Sequence, residues 1–222
     1  MDMGEILKKS IILIFLFFTI VSINFGQFTI ARVKYDGGGD WYTDPTALEN
    51  WLEELNRELG IEVTEEEKIV TLKDKSFFKY PMLFISGHGN IDLSRKEASN
   101  LRKYLLNGGF LYINDDYGLN KNIKREFSKV FSDFKFRSLG FSHKIFNCYY
   151  RLDYFPKVHK HDGKKPQLYA IYKNNRIVVL YTHEADIVDG LTDYEIFKDK
   201  KSDREEAMKF AVNMVFFILL HN

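Results

Sequence analysis

Between Tyr80 and Ile113 the chain lays down two unbroken apolar runs of strand length with one helical pattern between them, and this arrangement narrows the fold more than any other feature. The first run, Tyr80 to Ser86 (Tyr-Pro-Met-Leu-Phe-Ile-Ser), lacks the alternation of a half-exposed strand and reads as a strand covered on both faces. Ser94 and Glu97 then form a capping box. Ala98, Leu101, Tyr104 and Leu105 recur at helical spacing until Gly108-Gly109 ends the helix. Phe110 to Ile113 is a second buried strand. Strand, helix and strand joined by such short connections require a right-handed crossover and parallel pairing. The expected fold class is α/β, a three-layer, doubly wound, mostly parallel sheet.

The flanking sequence extends the same pattern. Phe28 to Tyr35 alternates as a strand and is broken by Asp36-Gly37-Gly38-Gly39. Asp44-Pro45 reads as an N-cap with proline at the first helical position, followed by a stripe of Ala47, Leu48, Trp51, Leu52 and Leu55 up to Gly60. A short strand is expected near Ile69 to Leu72. In the second half a helix is expected over Asn120 to Phe131, and strands over Leu168 to Tyr172 and Ile177 to Thr182, separated by an Asn174-Asn175 turn. Glu205 to Leu220 is a closing amphipathic helix. Its end is apolar all round, which in a run this short, with a charged start, points to burial against the sheet instead of a membrane span.

With 222 residues the chain has room for one ordinary domain. Lys8 and Lys9 precede an apolar run from Ile11 to Ile23, short for a span of about 20 residues. Residues 1–26 therefore read as a signal peptide, or as an N-terminal anchor, and residues 27–222 as a single α/β domain. The expectation is an exported, periplasmic or extracellular protein that meets a membrane only through an uncleaved leader at residues 11–23. A formal net charge of +1, with signs interspersed, provides no basic stripe for nucleic acid. The lone Cys148 excludes an intramolecular disulfide and a zinc site of paired cysteines, and its apolar neighbours mark it as a small buried hydrophobe.

In an open parallel sheet, ligands bind beyond the carboxyl ends of the strands. That rule selects Gly87-His88-Gly89-Asn90 after the first buried strand and Asn114-Asp115-Asp116 after the second. If the Ile177 strand is parallel to these, His183, Glu184 and Asp186 share the same rim. Gly37 to Gly39 lacks the spacing of a nucleotide loop and reads as a turn. The ligand-binding candidates are Gly87, His88, Gly89, Asn114, Asp115, Asp116 and His143. Asp115, Asp116 and His88 are the candidate catalytic groups, because two carboxylates with one imidazole suit acid–base work or a divalent cation. The bland alternatives are that Asp115 and Asp116 cap the following helix and that His88 is an exposed loop histidine. His159 and His161, in a lysine-rich loop, read as solvated surface. No cofactor or metal site is assigned, and a divalent cation remains an alternative.

Arg32-Val33-Lys34-Tyr35, Trp41, Tyr80 to Gly89, Leu101 to Leu105 and Gly108-Gly109-Phe110-Leu111-Tyr112-Ile113-Asn114-Asp115-Asp116 together resemble the bacterial family called domain of unknown function 4159, from about Phe28 to the end. That family is similar in layout to the class I glutamine amidotransferase-like (flavodoxin-like) superfamily, in which paired glycines feed a strand tipped by a nucleophilic cysteine. The resemblance implies that fold, but the tip here reads Asn114-Asp115-Asp116, with no cysteine and no elbow glycine, so amidotransferase activity is not expected. The leading expectation is a non-catalytic domain that binds a small polar or carbohydrate ligand, or an envelope protein partner, at the rim, where Trp41, Tyr42 and Tyr117 suit sugar stacking. The alternatives are a metal-assisted hydrolase using Asp115 or Asp116 with His88 or His143, and a structural assembly domain of the cell envelope.

Overall fold

The computed structural model describes residues 27–133, 135–159, 161 and 163–221. The leader expected at residues 1–26 lies outside them. The chain runs β1 (Ile30–Val33), α1 (Ala47–Leu59), β2 (Lys68–Val70), β3 (Met82–Ile85), α2 (Arg95–Leu106), β4 (Phe110–Asn114), α3 (Asn120–Val130), β5 (Arg137–Leu139), β6 (Gln167–Lys173), β7 (Arg176–His183), α4 (Tyr194–Phe197) and α5 (Lys201–His221). The strands form one seven-stranded sheet in the order β2-β1-β3-β4-β7-β6-β5. From β2 to β7 all neighbours are parallel, while β6 runs antiparallel to β7 and β5 antiparallel to β6.

Helices cover both faces. Along β3, Met82 and Phe84 join Trp51 and Leu55 of α1 and Phe210 and Val215 of α5 on one side. Leu83 and Ile85 join Leu101 and Leu105 of α2 and Ile123 and Phe127 of α3 on the other. Successive strand residues point to opposite faces, so covering both explains why β3 and β4 carry no polar alternation. Each fully buried Leu, Ile or Phe contributes roughly 1.5–3 kcal/mol of transfer free energy. Val212, Met214, Val215 and Phe217 of α5 are buried in this packing, whereas Leu219 and Leu220 at its very end stay exposed, contrary to the burial expected there. Among the described residues no helix is long and apolar enough to cross a membrane.

Most expected elements form within a residue or two of their expected bounds. The Ser94–Glu97 capping box closes in both directions, and Gly60 ends α1 in the left-handed conformation at φ 64°. Asn174 and Asn175 turn the β6–β7 hairpin at φ 51° and 62°. One assignment fails: Asp44 does not cap α1. The helix begins after Thr46, without a side-chain cap, and Asp44 is turned inward at φ 58° and fully buried.

Arg32 is the reason. Its buried guanidinium grips Glu67 at 2.7 and 2.9 Å and reaches the carbonyl oxygens of Thr43 at 2.7 Å and Asp44 at 3.0 Å. A buried cation needs its donors satisfied, so the loop before α1 wraps around it and delivers the Asp44 carboxylate beneath the strand tips.

Candidate functional site

The loops after β1, β3, β4 and β7 meet at one rim, the carboxyl edge of the parallel strands. After β3 the chain bends sharply at Gly87, whose φ of +133° and near contact with the Tyr35 hydroxyl leave no room for a Cβ. This bend places the His88 amide 2.5 Å from Asp40 Oδ1 and its ring Nδ1 3.0 Å from Asp40 Oδ2. Gly89 N–H donates to the Tyr117 carbonyl at 3.0 Å, tying the β3 loop to the β4 loop.

At the tip of β4 the three polar residues separate into different roles. Asp115 is saturated: Oδ1 accepts the Leu119 amide at 2.8 Å, and Oδ2 accepts the Tyr181 hydroxyl at 2.7 Å and faces His183 Nδ1 at 2.8 Å. It anchors the turn into α3 but does not cap that helix, whose N-cap Leu119 has no side-chain cap, and both Asp115 and Asp116 are buried instead of solvated. Asn114 faces inward, with Nδ2 donating to Asp116 Oδ1 and Oδ1 accepting the Ile187 amide at 3.1 Å. Asp116 is also bonded by the Ser86 hydroxyl at 2.8 Å, and the same hydroxyl lies 3.1 Å from Asp44 Oδ2.

Beyond β7 the backbone takes left-handed turns at Glu184 (φ 59°) and Asp186 (φ 50°). Such turns cost of order 1–3 kcal/mol each and persist where the surroundings impose them. Here they fold Asp186 and Asp189 back under the rim. Asp44, Asp189, Asp186 and Asp116 then lie in a chain, each carboxyl against the next. Burial raises all four above the ordinary carboxylate range. Asp44 and Asp186 push Asp116 further, and Asp189 is pushed up to about 12 by burial and then by Asp186. No N–H or O–H of the described residues reaches Asp44 Oδ1 or Asp116 Oδ2.

Two histidines close the pit from the long segment before β6. His161 Nε2 lies 3.1 Å from Asp186 Oδ2, and His159 Nδ1 lies 3.0 Å from Asp189 Oδ2. The His159 and His161 rings stack at 4.9 Å, and His161 also packs on Tyr117 at 4.8 Å. Above the pit a pocket of 370 Å³ is bounded by Asp116, Tyr117, Lys121, His161, Lys164 and His183, among others. Lys157 and Lys164 both reach Glu184 in its wall.

Of the residues selected from sequence, Gly87, His88, Gly89, Asn114, Asp115 and Asp116 share this rim, as do His183, Glu184 and Asp186. His143 does not: it precedes a one-turn 3-10 helix over Lys144–Phe146, its ring accepts the Ile145 amide, and it packs against Phe217 of α5 at 5.4 Å. Cys148 is half-buried beneath α5, its thiol 3.3 Å from the Asn213 carbonyl. The residues missed are Asp44, read as a helix cap, Asp189, and the pair His159 and His161, read as solvated surface. The Asp-Pro dipeptide disguised the first; nothing in the local sequence distinguishes the others.

The model of a family described as a domain of unknown function, DUF4159, matches residues 29–219. No curated protein matches the chain. The matched span takes in β1 to α5 and every residue of the rim, and the chain belongs to the DUF4159 family.

Proposed function

We propose that the rim is a binding site for a small polar ligand, a sugar or a small anion, in an exported domain of flavodoxin-like, glutamine amidotransferase-like architecture. The strand order β2-β1-β3-β4-β7 supports that architecture, since chain connections reverse direction between β1 and β3 and ligands of doubly wound sheets lie at such a point. The observation that carries the binding reading is the mixed lining of the 370 Å³ pocket: a carboxyl held neutral by burial at Asp116, imidazoles at His161 and His183, Lys121 and the half-exposed ring of Tyr117. A neutral acid and imidazoles donate hydrogen bonds, an aromatic face stacks on a sugar ring, and a lysine meets an anion. Calorimetric titration with N-acetylglucosamine, glucose, phosphate and citrate tests it. At least one should bind saturably and lose affinity about tenfold or more in Asp116→Asn and Lys121→Ala; equal affinity in all three proteins refutes the site.

A second reading, hydrolysis, is favoured by the line Asp40–His88–Asp116. Asp40 orients the His88 ring at 3.0 Å, and His88 Nδ1 is 4.0 Å from Asp116 Oδ2. An oriented imidazole beside a carboxyl kept protonated is a base and an acid within reach of one bound molecule, a pairing that contributes about 10²–10⁴-fold where catalysis occurs. Turnover of p-nitrophenyl esters, phosphates or glycosides that is lost in His88→Ala and Asp116→Asn, with folding intact, would establish it. Amidotransferase chemistry finds no support, because the β4 tip holds no thiol and Cys148 packs under α5.

A further inference from the structure

We propose that His159, Asp189 and Asp199 form a binding site for a first-row divalent cation of the Mn²⁺ or Zn²⁺ kind, beside the buried carboxylate chain. Three separate segments supply the donors: the stretch before β6, the turn after β7, and the link between α4 and α5. Their ligand atoms nevertheless all lie within 4.8 Å of one another, close enough for small side-chain shifts to bring them onto one ion.

A second observation is independent of that convergence. Asp199 Oδ2 is shut off from solvent, and no N–H or O–H of the described residues reaches it. Buried oxygens ordinarily find a donor. Arg204, the guanidinium that acts on Asp199, is directed to the Thr192 carbonyl and lies 6.0 Å from the Tyr194 ring. Lys157 is engaged by Glu184. Asp189, further in, is already crowded by Asp44 and Asp186. A cation between Asp189 and Asp199 gives the orphaned oxygen a partner and sets a positive charge beside Asp189, which Asp44 and Asp186 flank.

The donor set selects the ion. One imidazole with two carboxylates suits Mn²⁺, Fe²⁺ or Zn²⁺, whereas Ca²⁺ and Mg²⁺ favour oxygen alone. Three protein ligands leave further positions for water. The neighbouring ring of His161, stacked at an interplanar angle of 11° and hydrogen-bonded to Asp186, holds the His159 ring in place, as groups behind metal ligands do. This inference is independent of ligand binding in the rim pocket.

The test is calorimetric titration of the chelator-treated full chain with MnCl₂, ZnSO₄ and CaCl₂, with Mn²⁺ also followed by electron paramagnetic resonance. Asp199→Asn and His159→Gln, both on exposed segments, and Lys121→Ala in the rim pocket are run alongside with circular dichroism as a check on folding. The expected result is one saturable Mn²⁺ or Zn²⁺ per chain, held about tenfold or more tightly than Ca²⁺. Asp199→Asn and His159→Gln should each weaken it by about tenfold or more, and Lys121→Ala should leave it unchanged. Absence of saturable binding, Ca²⁺ bound as well as Mn²⁺ and Zn²⁺, or wild-type affinity in both ligand variants would overturn the assignment. Loss of sugar or anion binding in Lys121→Ala with metal binding intact would bear on the pocket alone.

Discussion

The buried carboxyl chain makes a prediction about stability that runs against the usual acid sensitivity of proteins. A carboxyl whose folded pKa is raised above its unfolded value stabilises the fold fully only below the unfolded pKa, about 3.9, and that stabilisation is lost as pH rises toward the folded value. Burial raises Asp44, Asp116, Asp186 and Asp189 together, so the metal-free protein should lose stability from about pH 4 upward. Each proton retained only by the folded state costs about 1.36 kcal/mol per pH unit, or about 4 kcal/mol between pH 5 and 8. Four such protons would cost about 16 kcal/mol, more than the roughly 5–15 kcal/mol that holds a domain together. The chain therefore keeps one or two protons by pH 8, and wild-type stability should fall by about 1.4–2.7 kcal/mol per unit. Asp44→Asn tests this most cleanly, because asparagine tolerates the left-handed backbone at φ 58° and its amide oxygen can still accept from Ser86. In urea titrations with chelator, followed by the fluorescence of buried Trp51, the variant should equal the wild type near pH 4 and exceed it by about 1–4 kcal/mol at pH 8. A wild-type stability that rises from pH 5 to 8, or a variant penalised equally at every pH, would refute the reasoning.

Other substitutions probe how the rim is supported. Arg32→Ala removes a buried side chain, leaves the part-buried Glu67 without its partner and frees the loop carrying Asp44, and should cost about 2–4 kcal/mol in urea denaturation. Ser94→Ala removes the cap from α2 and should cost about 1 kcal/mol by the same measurement, with rim binding untouched. Gly87→Ala would drive a Cβ to 2.4 Å from the Tyr35 hydroxyl at a φ of +133°, so both stability and pocket binding should fall, the former by about 1–3 kcal/mol.

The sheet was legible because its signals are local. β3 and β4 announce burial by unbroken apolar runs, α2 by a capping box and paired glycines, and the β6–β7 turn by two asparagines. β5 was missed because Arg137-Ser138-Leu139 is short and largely exposed, with neither run nor alternation to mark it. The rim was half legible. Knowing the strands fixes which loops meet at their ends, and this brought His88, Asn114, Asp115 and Asp116 together. The acids beneath are a different matter. Asn114 contacts Asp186 across 72 residues of sequence and Ser86 contacts Asp44 across 42, and the position of Asp44 depends on the guanidinium of Arg32, 12 residues earlier on β1. No periodicity encodes such a meeting, and a lone aspartate before proline looks the same whether it caps a helix or enters a core.

The ends of the sheet bear on how copies of this domain meet one another. Each outermost strand, Lys68–Val70 and Arg137–Leu139, is three residues long, shorter than the roughly five or six of an average strand. One edge opens with Lys68 paired to Glu66, and the other with Arg137 lying over the Tyr172 ring. A neighbouring chain seeking to lengthen the hydrogen-bonded ladder would find few free amides at either end and a cation in the way. Crowded at one surface, such domains would resist strand exchange and fibre growth, and any association would have to be built from side chains on the helical faces.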